Sequence, residues 1–349
     1  MISSPHHGRN RAVLAFIALG VLTTSAACSS SSSPGTSATS STTASASATS
    51  SSSSQKTLAF VNPASANAYQ ITFQCGLIQD AAQEGFKITS IADNSTFTVE
   101  AQIPLLQAAS AKTPDVLVTD PTNSTAITPT LNQVKSRGAK VVIYDNPLTD
   151  TSVAVASVES DSYQGGVTLA QQVLASTGGK AQILLVDIEP GALSSNERIE
   201  GFQSVMKGHP GIQLYGPFYD DFSATKDAQI VDAALAAHPG LTMVVPSYNS
   251  AANAVVQELK ARGKLASVKV ATFDADPQIV QEVEAGYITA VMSQNAYEQA
   301  LLVLKAARAA EEGQTVTYNQ SLPMVLITKA NVNSAAAKAG LYTNTACNI

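Results

Sequence analysis

Two carboxylates and four amides stand at matching places in this sequence, each just after a short apolar run. Lys140–Pro147 reads KVVIYDNP and delivers Asp145 and Asn146. MVVPSYN delivers Asn249, VKVATFD delivers Asp274, and ITAVMSQN delivers Gln294 and Asn295. Ionised carboxylates accept hydrogen bonds and amides both accept and donate, so the chemistry on offer is the gripping of a polar guest. One such edge would carry little weight, because Asp and Asn are common wherever a strand turns into a loop. Four edges suggest one polar site assembled from distant parts of the chain.

Catalysis has less support. His6 and His7 fall in an N-terminal targeting segment, and His209 and His238 each adjoin a proline in loop-like sequence. There is no HExxH zinc pattern, GxSxG elbow or Walker-type phosphate loop. Gly178-Gly179 reads as a turn before a strand. Asp145 and Asp274 could suggest the paired carboxylates of glycoside hydrolysis, but they are better explained as hydroxyl acceptors. No enzyme activity, cofactor or metal is expected.

The runs that deliver these side chains read as strands buried on both faces of a parallel sheet, and in such sheets ligands bind at the C-terminal strand edge. From Lys56 the strands are TLAFV (Thr57–Val61), KITSIA (Lys87–Ala92), DVLVT (Asp115–Thr119) and KVVIY. Helices lie between them over Gln70–Glu84, Val99–Ala111 and a segment containing Leu131, Val134 and Lys135. The pattern restarts after Ser157 with a helix over Tyr163–Ala175. The strands AQILLVD, IQLYG, TMVVP, VKVATF and ITAVM follow. Helices around Arg198–Lys207, Thr225–Ala237, Ala251–Arg262 and Pro277–Ala285 separate them.

A long helix, Ala296–Glu312, then rejoins the first set, and a strand PMVLIT (Pro323–Thr328) follows. The prediction is an α/β fold of two doubly wound, Rossmann-like parallel-sheet lobes joined by a hinge that the chain crosses several times. Residues 56–159 with 293–324 make the N-terminal lobe and 160–292 the C-terminal lobe. Residues 325–349 are a C-terminal strand and tail.

With 349 residues, 45% of them hydrophobic, the chain has material for two domains. A formal charge of −6 argues against nucleic acid, whose binders need a basic face. Arg9 and Arg11 precede an apolar stretch, Ala12–Leu22, and the small residues Ser25-Ala26-Ala27-Cys28. This is the layout of a secretory signal over 1–27, with Cys28 placed as in a bacterial lipoprotein site. The alternative is cleavage after Ala27 without a lipid. Ser29–Ser54 is almost wholly Ser, Thr and Ala, so 28–55 is expected to be a disordered tether with an end-to-end distance of roughly 25–30 Å. Cys75 and Cys347 then remain as an even pair in an oxidising compartment, where a bridge would pin the tail to the first helix. The alternative is two free thiols.

GALSSNERIEGF (Gly191–Phe202) resembles the arginine-bearing segment of the pentose/hexose-binding proteins of bacterial ABC transporters, the ribose-binding branch of the type I periplasmic binding fold. The resemblance covers about Lys56 to Thr328. It implies that Arg198 holds the ring oxygen and hydroxyls of a sugar, that Asn67 bonds a hydroxyl, and that Tyr69 covers a ring face. Gln70 replaces the usual second aromatic. Asp145 matches the family's aspartate, Asn146 stands where ribose binders have arginine, Phe222 matches the second lobe's aromatic, and Asn249, Asp274 and Gln294 match the remaining polar contacts.

Hydroxyls both donate and accept, so they suit carboxylates, amides and an arginine together. Each residue also has a plainer reading: Arg198 as a solvated helix residue, Asn249 as a helix cap, the aspartates as loop carboxylates, Tyr69 and Phe222 as packing. The resemblance implies a monomeric, lipid-anchored receptor on the outer face of the cytoplasmic membrane. It would close on a small neutral sugar or polyol and deliver it to an ABC permease. A same-fold sensory protein reporting to a receptor or kinase is the alternative. A repressor with related lobes is disfavoured by the signal and tether in place of a helix-turn-helix.

Overall fold

Residues 55–94, 96–343 and 347 are described by the computed structural model; the expected signal segment, Cys28 and nearly all of the tether lie outside the described residues. The first part of the chain alternates β1 (Lys56–Asn62), α1 (Ala68–Asp80), β2 (Phe86–Asp93), α2 (Val99–Ala111), β3 (Val116–Thr119), α3 (Thr128–Ser136), β4 (Lys140–Tyr144) and β5 (Ala156–Ser160). The second part runs α4 (Ser162–Thr177), β6 (Ala181–Asp187), α5 (Leu193–Met206), β7 (Ile212–Tyr219), α6 (Ala224–Ala237), β8 (Met243–Pro246), α7 (Asn249–Ala261), β9 (Lys269–Phe273), α8 (Pro277–Ala285) and β10 (Ile288–Ser293). It ends with α9 (Ala296–Glu311), β11 (Asn319–Leu322), β12 (Val325–Ile327) and α10 (Ala335–Ala339).

Two sheets result, with the same strand order. The first is β2-β1-β3-β4-β5-β11 and the second β7-β6-β8-β9-β10-β12. All pairings are parallel except β10 with β12. In each sheet the order reverses beside β1 or β6, the switch point at which an open α/β sheet leaves a crevice. Along β1, Leu58 and Phe60 enter one core cluster while Ala59 and Val61 enter another, so helices cover both faces. The second sheet is sandwiched in the same way, with Leu184 and Val186 on one side and Ile183 and Leu185 on the other.

The chain passes between the sheets after β5, returns after β10, and crosses again between β11 and β12. The sequence gives no warning of β5 or β11. ASVES and NQSL lack the run of β-branched residues that marks the other strands, and pairing to β4 and β5 makes them strands. The expected strand Pro323–Thr328 shortens to Val325–Ile327, because Pro323 and Met324 lie in the third crossing. Helix α5 starts at Leu193, earlier than its apolar pattern suggests, which brings Arg198 to mid-helix.

Two glycines let α5 seat closely. A Cβ on Gly201 would collide with the backbone oxygen of Tyr163 on α4, and one on Gly166 with that of Arg198. Backbone meets backbone here, so the helix carrying Arg198 has little freedom to shift.

A disulfide joins Cys75 on α1 to Cys347, with Cα atoms 5.3 Å apart and 272 residues of sequence between them. Closing so long a loop restricts the unfolded chain strongly, and removing such a bridge typically costs about 2–5 kcal/mol. Cys75→Ser is expected to lower the urea midpoint accordingly, and wild-type protein in reductant is expected to match it. An unchanged midpoint in both would show that the bridge contributes nothing to stability.

Candidate functional site

Asp145 follows β4 and Asp274 follows β9, the matching strands of the two sheets. Both have left-handed backbones, with φ of 60° and 69°. Each donates its N–H to the next strand, Asp145 to Val158 at 3.0 Å and Asp274 to Met292 at 2.8 Å. That conformation costs a non-glycine residue of order 1 kcal/mol. Its occurrence at twin positions turns both carboxyls toward the crevice between the sheets, where they line a common cavity.

Arg198 stands between them and is only 2% exposed. Its Nη1 donates to Asp274 Oδ2 at 3.0 Å and to the Ser247 carbonyl at 2.9 Å, while Nη2 lies 3.9 Å from Asp145 Oδ1. Gln294 donates from Nε2 to Asp274 Oδ1 at 3.1 Å and accepts from Ser160 Oγ at 2.8 Å. Asn67 accepts from the Tyr69 and Gln70 amides at the start of α1, then donates to Asn249 Oδ1 at 2.8 Å across the crevice. Asn249 in turn donates to Asp276 Oδ2 at 3.0 Å; the cap of α7 is Tyr248. Asn146 Oδ1 accepts from the Ser194 amide at 3.0 Å, a second bond between the lobes. Asn295 instead donates to Glu298 within its own helix end.

Tyr69 and Gln70 line the cavity but have their polar atoms engaged in its wall. Tyr69 is 3% exposed, packs against Tyr144 and Tyr342, and donates to Gln299 at 2.6 Å. Gln70 donates to Asp120 Oδ2 at 2.7 Å and accepts from the Tyr144 hydroxyl at 2.5 Å. Phe222, at φ 57°, stacks on Tyr248 with centroids 4.9 Å apart and on Phe97 at 5.3 Å. Phe97 comes from the first lobe, so this aromatic wall also spans the crevice.

Sequence reasoning missed Asp120, Tyr248, Phe97 and Ser194. Asp120 was within reach, since it follows β3 as Asp145 follows β4. It is fully buried, and both its oxygens are occupied, Oδ1 by the backbone and side-chain nitrogens of Asn146 and Oδ2 by Gln70. Tyr248 lies one residue before Asn249, inside a motif already singled out. Ser194 likewise lies inside the marked segment Gly191–Phe202, whereas Phe97 carries no local signal and only the tertiary fold brings it in.

The enclosed space is about 30 Å³, room for little more than a water molecule. Two buried polar atoms at its lining have no hydrogen-bond partner, Asp145 Oδ1 and Arg198 Nε. Burial drives the Asp145 carboxyl up to about 6 against the pull of Arg198. Burial and the nearby Asp145 hold Asp120 well above the ordinary carboxylate range. For Arg198, burial lowers the value, but the Asp274 and Asp145 charges outweigh it and keep the guanidinium protonated. Two carboxyls, Asp145 and Asp274, thus face one cation, a poor setting for an anion and a good one for a guest rich in O–H donors. Among the described residues no group of His, Cys, Asp and Glu is placed to hold a metal, and no helix is long and apolar enough to cross a membrane.

A family model described as a periplasmic binding protein domain matches residues 58–315. The D-apiose import binding protein of Actinobacillus succinogenes is 23% identical over 277 residues, covering 78% of this chain and 88% of that one. The ribose import binding protein of Bacillus subtilis is 23% identical, covering 75% of this chain and 84% of its own length. Among solved structures, an ABC transporter solute-binding protein from Agrobacterium vitis bound with α-D-tagatopyranose superposes with a TM-score of 0.78 at 24% identity, over 83% of this chain and 100% of that one. One from Bacillus halodurans with bound myo-inositol gives 0.73 at 22% identity, over 82% and 99%.

The buried ion pair should govern stability as well as geometry. Arg198→Met keeps the length but leaves Asp145 and Asp274 without their cation, a loss of about 3–5 kcal/mol for a broken buried pair. Urea unfolding near neutral pH is expected to show it, and the deficit should shrink in acid as the stranded Asp145 carboxyl, already pushed up to about 6 by burial, takes up its proton. A mutant as stable as wild type at neutral pH would mean that the pair is not buried in solution.

Proposed function

We propose that this chain, which belongs to the periplasmic binding protein family, is the extracytoplasmic substrate-binding component of an ABC transporter and closes its two lobes on a small neutral sugar or polyol. The observation that carries the choice of guest is the pair of orphaned buried atoms. Asp145 Oδ1 lacks a donor and Arg198 Nε lacks an acceptor, in a cavity lined from both lobes. A hydroxyl between them would donate to the first and accept from the second. Buried polar groups left unpaired are costly, so a guest that satisfies them is favoured by that amount as well as by its new bonds.

Closure follows from the same geometry. The Asn67–Asn249 and Asn146–Ser194 bonds bridge the crevice, and the space they leave is too small for a monosaccharide. A sugar must part them and then offer hydroxyls to the amides thus released. Groups from both lobes are satisfied together only when the lobes are shut, so binding shifts an open–closed equilibrium toward the closed form. Phe222, Tyr248 and Phe97 provide the apolar cover that the C–H face of a sugar ring needs. The closed form is what the membrane permease would recognise, and it needs no second copy, since one chain supplies both walls. D-apiose and ribose import by relatives, and tagatose and myo-inositol in similar structures, support a monosaccharide or cyclitol. The Asn146 and Gln70 positions separate this site from the ribose pattern.

A thermal-shift panel of pentoses, hexoses and cyclitols is expected to give a stabilising member, because ligand binding raises the midpoint with concentration over dissociation constant. Arg198→Ala should then weaken that sugar by about 2–5 kcal/mol in calorimetry. No shift with any neutral sugar or polyol would refute the proposal. We assign Cys28 the lipid that holds the receptor at the outer face of the cytoplasmic membrane. Cys28→Ser expressed in a bacterial host should move the protein from the membrane fraction to the soluble fraction, and its retention in the membrane would remove the anchor.

A further inference from the structure

Behind the Phe222–Tyr248 wall lie two carboxyls that the crevice chemistry does not use. Asp220 follows β7 and is fully buried; Asp227, in the first turn of α6, is 1% exposed. Their charges act on each other, and Asp220 Oδ2 and both oxygens of Asp227 are buried without a hydrogen-bond partner. Ionised carboxylates only accept, so two of them buried near each other without a donor are relieved by a proton held between them. The surrounding elements supply no cation in its place. Tyr248, ahead of α7, donates its hydroxyl to Asp220 Oδ1 at 3.1 Å, and Asp187 at the end of β6 offers only its carbonyl, to the Asp220 amide. Asp221 and Lys226 are exposed and paired with each other.

Asp220 also controls the turn that carries the aromatic wall. Its Oδ1 accepts from the Phe222 amide at 2.6 Å as well as from Tyr248. Asp221 and Phe222 are successive non-glycine residues with left-handed backbones, φ 52° and 57°. Such a pair persists only where neighbours over-determine it. The carboxyl of Asp220 is the group that ties the turn to Tyr248.

We propose that Asp220 and Asp227 hold one proton between them, and that this shared proton fixes the turn presenting Phe222 and Tyr248 to the crevice, making the pair a positioning device for ligand affinity. The link to affinity rests on the crevice being the sugar site; the shared proton does not. Burial first, and the facing Asp227 second, push Asp220 up to about 9. Its folded value lies above the ordinary carboxylate value, so its stabilisation is present in acid and is lost as pH rises through that point. Two bare buried carboxylates then repel, and the turn loosens.

The test uses the mature chain carrying ¹³C at its aspartate carboxyl carbons, titrated by NMR, with the best sugar from the panel measured calorimetrically across the same range. One carboxyl of the pair is expected to remain protonated at neutral pH and to titrate only in the alkaline range, and this alkaline titration is expected to be lost in Asp220→Asn and in Asp227→Asn. The Phe222 amide resonance should move with it. The dissociation constant of wild type should rise by about tenfold per pH unit of lost protonation. Asp227→Asn donates from its amide without titrating, so it should bind in alkali as it does at neutral pH. Both carboxyls ionised at neutral pH, or an Asp227→Asn profile that follows wild type, would overturn the proposal. If no sugar binds, the crevice reading fails alone, and the carboxyl and Phe222 titrations still decide the shared proton.

Discussion

A single buried guanidinium sets the terms for the rest of the crevice. Arg198 grips Asp274 within its own lobe and lies within ion-pair distance of Asp145 on the other. Charges withdrawn from water are tolerated only when paired and hydrogen-bonded, so each neighbour must be placed accurately. The left-handed turns at Asp145 and Asp274 aim the carboxyls, while Gln294 and the Ser247 carbonyl take up part of the remaining bonding capacity and leave Asp145 Oδ1 and Arg198 Nε open. The glycine contacts between α4 and α5 fix the helix from which the arginine reaches. Packing, backbone strain and electrostatics therefore answer to one group.

The two lobes solve the same positioning problem twice. Each sheet has one strand order, each sends an aspartate from its fourth strand, and each turns that residue left-handed. The partners around the two aspartates differ. Asp274 is fully committed, to Arg198, Gln294 and Tyr342, whereas one oxygen of Asp145 is unclaimed. One lobe thus presents a finished polar surface and the other an unfinished one, which a guest under the proposed function would complete against the first.

Much of this was legible because the strands are buried on both faces and must be written in β-branched residues. Val141–Tyr144 and Val270–Phe273 could hardly be anything else, and their length fixes which polar residue emerges at the end. The polar strands β5 and β11 were invisible for the opposite reason, their pairing being imposed by neighbours. At the site, Asp145, Arg198, Asn249, Asp274 and Gln294 could be picked out because chain position alone places them near a strand end or in a marked segment. The roles of Tyr69 and Gln70 could not be read in that way. Both line the cavity, but whether a side chain's polar atoms face a guest or bond to Gln299, Asp120 and Tyr144 depends on residues far off in sequence.

The tail has a mechanical consequence. Tyr342 donates its hydroxyl to Asp274 in the second lobe while its ring packs in the core of the first, and a few residues later Cys347 is bonded to Cys75 on α1. The hinge crossings are thereby supplemented by a leash whose far end is covalently moored. Any opening of the crevice would therefore have to release the Tyr342–Asp274 bond while the tail stays tied to α1 by the disulfide.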